Sequence, residues 1–179
     1  MRTATFVLVA YLMCVVVASV WRFMPDAARD AVPDLGALTA AYLGLTARRA
    51  LAPAVAGSIV LGYLIDLISG APPGLIALVL GLTGVVARAV QQRIYVRGWA
   101  MTAVFSGFVA LIAAALQLIV RAAYGVPRGS WSVELHGLAV VAIATAIVGP
   151  AVWRIFRRID AGFARTHRER DAALEGIAP

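Results

Sequence analysis

From Trp99 to Val120 the chain runs without a single charged side chain, and no other feature limits its fold so sharply. A hydrocarbon core about 30 Å thick is crossed by roughly 20 helical residues. The rest of the chain repeats the theme. Of its 179 residues, 62% are hydrophobic and 14% charged, and mean hydropathy is +0.88. A soluble domain is about half apolar and a quarter charged. A soluble chain of this length has one core to fill and no use for apolar sequence along most of its length. The composition defines an all-α polytopic membrane protein.

Six apolar stretches are legible, at about 3–20, 33–47, 50–69, 73–90, 99–120 and 134–155. Arg2 followed by an apolar run is signal-like. That run exceeds a typical signal core, however, and more spans follow, so it is expected to stay as the first helix, closed by Trp21 at the interface. Residues 22–34 carry two Arg, three Asp and two Pro and form a loop. The second stretch, Leu35–Thr46, is short for a crossing. It requires an earlier start, a thinned bilayer or shielding by neighbours. SGAPPG joins the third and fourth spans tightly, and 88-RAVQQRIYVR-97 joins the fourth and fifth.

All sixteen basic residues are arginine, and the formal net charge is +7. They lie between and after the apolar spans, not on one face of a nucleic-acid-binding motif, so nucleic acid is not an expected partner. With six crossings, twelve arginines fall on the side of both termini and four on the other. Cytoplasmic loops carry the basic excess. The expectation is a six-helix bundle in the bacterial cytoplasmic membrane, both termini cytoplasmic, over residues 1–155, followed by a basic tail at 156–179.

No nucleophile–base pair or metal-ligand spacing is present, so neither an enzyme nor a cofactor is expected. Cys14 has no disulfide partner and reads as a small packing residue. Glu134 and His136 are two residues apart and project from different faces. Asp66 is the outlier, an acid near the end of a span in 62-GYLIDLISGAPPGL-75. Acids within spans are rare and need a partner. Tyr63 and Ser69 share its helical face, and a helix beginning at Pro72 or Pro73 offers N–H groups across the turn. Asp66 therefore reads first as a hairpin latch, with Ser69, Gly70, Pro72, Pro73 and Gly74 forming the turn. An ion relay and a partner contact are the alternatives.

Small residues recur four apart: Ala10, Cys14 and Ala18; Gly36, Ala40 and Gly44; Ser58 and Gly62. Such stripes let helices approach closely in lipid. They are expected first to serve the internal bundle; if one stripe is offered to another membrane protein, the second, running the length of its span, is the best candidate. In the tail, Ile155, Phe156, Ile159 and Phe163 gather on one side, with Arg154, Arg157, Arg158 and Arg165 largely on the other. That pattern resembles an interfacial helix on anionic lipid, or a docking site for a cytoplasmic partner.

Pro33-Asp34-Leu35 opening the second span, then GYLIDLISG and APPGLIAL, resembles the MreD family of rod shape-determining membrane proteins. The likeness rests on residues 33–82 and on a G-x-x-x-D-x-x-S-G-x-P-x-G-like signature. Gly62, Asp66, Ser69, Gly70, Pro72 or Pro73, and Gly74 match it, with a double proline in place of Pro-Leu. The resemblance implies a non-enzymatic scaffold of the cell-wall elongation machinery. It would bind MreC and, through it, RodA and a class B penicillin-binding protein. The six-helix arrangement is similar to the vitamin-binding subunits of energy-coupling-factor transporters. The alternative function is thus a solute-binding subunit, with Asp66, Glu134 and His136 converging on an outer pocket and Ala10, Cys14 and Ala18 meeting a partner.

Overall fold

In the computed structural model the described residues are 2–25, 31–47, 51–70, 72–91, 98–125 and 130–175, with side chains described to 164 apart from 91. Among them the chain is all helical: α1 (Arg2–Trp21), α2 (Leu35–Thr46), α3 (Ala52–Ser69), α4 (Leu75–Gln91), α5 (Trp99–Ala123) and α6 (Trp131–Glu175). Arg2–Trp21, Ala52–Ser69, Trp99–Ala123 and Trp131–Ala164 are long and apolar enough to cross a membrane; α2 and Leu75–Val90 are shorter apolar helices. Large apolar side chains cover the outside, among them Leu8, Leu12 and Val16 on α1, Val104 and Ile119 on α5, and Ile143 and Ile147 on α6. So apolar an exterior is compatible with a multi-pass membrane protein.

The short helix α2 is the axis of the bundle. It touches all five other helices, and every residue from Leu35 to Leu45 is buried. Its 12 residues rise only about 18 Å, and shielding by neighbours is how the chain accommodates them. The small residues of α2 take the internal role and not the outward-facing one. Ala40 is fully buried, and a Cβ on Gly36 would meet Leu80 at 3.1 Å and Ile65 at 3.3 Å. A Cβ on Gly44 would collide with the carbonyl of Gly84 on α4. The stripe is consumed by an internal crossing, because an axial helix has no free face to offer. Ser58, also fully buried, lies beside Gly84 in the same contact.

Two hairpins complete the bundle. In α3–α4, a Cβ on Gly62 would stand 2.5 Å from the Cα of Ala77, so the two backbones touch. In α5–α6, Gly149 packs directly against Ser106, just before Pro150 inside α6.

The start of α1, the end of α2 and the later part of α6 are tied together through Arg2, Thr46 and Asp160. Arg2 Nε donates to Asp160 Oδ1 at 2.6 Å and its Nη2 to Oδ2 at 3.0 Å, the bidentate fork typical of arginine with a carboxylate. Beneath it the rings of Phe6, Tyr42, Trp153, Phe156 and Phe105 pack in tilted and edge-to-face pairs with centroids 5.1–5.8 Å apart. Phe156 is 1% exposed and Ile159 packs against the core. The tail continues α6 without a break through residue 175. Phe156 and Ile159 meet protein, not lipid, because α1 and α2 end beside them.

Candidate functional site

The chemistry-bearing residues at the opposite end gather around two aspartates. Helix α3 ends at Gly70, its C-cap in the left-handed region at φ +67°. The chain turns through Pro72 and Pro73, and α4 begins at Leu75, two residues later than the prolines alone indicate. The delay comes from Gly74, whose φ of +94° lies outside the helical range and is tolerated by glycine.

Gly74 precedes α4 but has no side chain with which to cap it, and Asp66 supplies the missing cap from the preceding helix. Its Oδ2 accepts from the N–H groups of Gly74 at 3.0 Å and Ala77 at 3.2 Å, and its Oδ1 from that of Ile76 at 2.9 Å. Leu75 N–H is satisfied by the Pro72 carbonyl. The donors that a helix start leaves open are thus filled, and the positive end of the helix faces a carboxylate. The close approach at Gly62, one turn earlier, brings the acid within reach. Asp66 is 2% exposed. Its side-chain neighbours serve otherwise: Ser69 Oγ donates to the Asp66 backbone carbonyl at 3.4 Å, and Tyr63 is exposed.

Asp34 does the same work in the ordinary way. It is the N-cap of α2 and accepts from Ala37 N–H at 2.8 Å. Its own N–H donates to Thr145 Oγ1 at 2.9 Å, fastening α2 to α6. An aspartate just before an apolar run is a sequence signal for such a cap, whereas nothing in the sequence marks Thr145.

Beside Asp34 lies a cavity of about 380 Å³. Its polar groups are Asp34, Cys14 and Gln117, set among Val17, Ile65 and Val141. Asp66, Glu134 and His136 do not line it. Glu134 is half-buried and His136 exposed at the start of α6, so they do not converge with Asp66 on this cavity. Of the first stripe, Ala10 is buried in the core, while the half-buried Cys14 and the exposed Ala18 border this cavity. Gln117 is the residue the sequence reading missed. Its signal was available, as an amide within an otherwise unbroken run. Among the described residues no three His, Cys, Asp or Glu side chains come together as a metal site.

At the Arg2 end, Arg154, Arg157 and Arg158 line a separate cleft with the start of α5; the side chain of Arg165 lies outside the described residues. No family model, curated protein or solved structure matches this chain.

Proposed function

We propose that the chain is a non-enzymatic scaffold subunit of the bacterial cell-wall elongation complex, an MreD-like protein that binds MreC and, through it, RodA and a class B penicillin-binding protein. In this reading it crosses the cytoplasmic membrane six times with both termini in the cytoplasm. The observation that carries the reading is the Asp66 latch. The residues that carry the family resemblance, Gly62, Asp66, Gly70 and Gly74, are the ones that bring α3 and α4 together and turn the chain between them. A signature spent on holding a hairpin suits a protein that presents a fixed surface.

Orientation is tested by fusing alkaline phosphatase or a fluorescent protein to residue 179 and into the 70–74 turn. The C-terminal fusion is expected to fluoresce and lack phosphatase activity, and the turn insertion to do the reverse. A periplasmic C-terminus rejects the topology. Function is tested by depleting the protein in a rod-shaped host. Rounding, lysis and loss of MreC co-purification are expected. Normal shape with intact MreC complexes sinks the scaffold reading.

One observation favours the second reading, a solute-binding transporter subunit. The cavity beside Asp34 has the size of a small-ligand site and the mixture of apolar wall and few polar groups such sites share. Under that reading depletion leaves shape intact and abolishes uptake of one solute, and Gln117→Leu raises the concentration needed for half-maximal uptake.

A further inference from the structure

The cleft at the Arg2 end has a chemistry of its own. Its volume is about 450 Å³, and Gly98, Trp99 and Thr102 from the first turn of α5 face Pro150, Arg154, Arg157, Arg158 and Ala161 of α6 across it. The α6 residues recur at intervals of three and four, on one helical face. No acid lines the cleft. The nearby Asp160 is already held by Arg2. Among the described residues none of the three arginines makes a hydrogen bond or ion pair with another side chain. Thr102 and Pro150 are its buried lining residues, and the exposed Gly98 and Ala161 add little bulk to it. Helix α5 starts there without a side-chain cap, so its first N–H groups add partial positive charge.

We propose that this cleft binds the phosphate headgroup of an anionic phospholipid. Guanidinium groups grip phosphate oxygens bidentately, and three arginines supply more charge than one phosphodiester needs. A lipid is favoured over a free anion or an acidic peptide by what adjoins the charge. Trp99 is 70% exposed at the rim, and Ile147 and Ile143, 71% and 62% exposed, continue the face of α6 that carries Pro150 and Arg154 as an apolar strip. Headgroup and acyl chain thus have adjacent places. The site does not depend on which complex the bundle serves.

The test uses the full chain in mixed micelles, with phosphatidylglycerol or phosphatidylcholine as probe and retained lipid counted by native mass spectrometry. The wild type is expected to retain phosphatidylglycerol preferentially. The triple variant R154Q/R157Q/R158Q is expected to lose at least about tenfold of that retention. The triple variant R165Q/R168Q/R170Q, with the same change in charge, is expected to keep most of it. Equal loss in both variants overturns the proposal in favour of diffuse surface charge. Displacement of the lipid by excess inorganic phosphate assigns the cleft to a free anion and overturns it also. Should the first variant fail to fold, brominated lipids decide on otherwise native protein. Quenching by brominated phosphatidylglycerol should exceed that by the choline lipid, and Trp99→Phe should remove the excess. No excess in the wild type refutes the site.

Discussion

Replacing Asp66 with leucine is expected to destabilise the folded bundle by roughly 3 kcal/mol or more, since buried donors left without an acceptor cost about 1–3 kcal/mol each. Three backbone N–H groups lose their acceptor together, and Gly74 has no side chain to replace it. Asp66→Asn keeps one carbonyl oxygen for these donors and turns an NH2 group toward another. It should fall between wild type and Asp66→Leu in the midpoint of thermal unfolding in detergent. The order wild type, Asn, Leu is the diagnostic. Equal midpoints for all three would show that the cap contributes nothing. Equal loss in function for both variants with unchanged midpoints would assign the acid to partner or ion contact.

The second large effect is expected at the axis. Gly44→Val places two methyl groups where the Gly84 carbonyl already stands, and neither backbone can retreat, since α2 is enclosed by five helices. Overpacking of this kind costs about 1–3 kcal/mol, and here backbone meets backbone, so the upper end is expected. Gly137→Ala on α6 is the control, with open space around the added methyl and a helix-propensity gain of roughly 0.5–1 kcal/mol. Urea or heat titration of the two variants should move in opposite directions. Parallel shifts would mean that α2 and α4 are not in backbone contact.

The parts of this molecule that were readable in the sequence are those governed by local chemistry. Helical runs follow from uninterrupted hydropathy, as at Trp99–Val120. The Asp66–Pro–Pro–Gly grouping is readable because cap and turn lie within about three helical turns of chain. The short length of Leu35–Thr46 was visible as well, but its cause was not: burial from every side depends on five partners distant in sequence. Thr145 opposite Asp34, Arg2 opposite Asp160 and the five-ring cluster are unreadable for the same reason. The small-residue stripe at Gly36, Ala40 and Gly44 left bundle and partner both open because small residues report close approach without naming the neighbour. Phe156 misled because the amphipathic pattern of a basic helix is the same whether its apolar face meets lipid or protein.

The Arg2–Asp160 fork and the Phe6–Phe156 contact also set an order of events during synthesis. Of the helices described here, α1 is made before the other five and finds these partners only on α6. The α3–α4 hairpin can latch at once, from residues a few positions apart, whereas α1 must wait until the chain 158 residues further on has been made. Closure of the bundle is therefore the final step, as expected where loop closure precedes the reward of distant contacts. Chains truncated before Asp160 would leave the ribosome with α1 undocked, its ring-bearing face open to quality-control proteases.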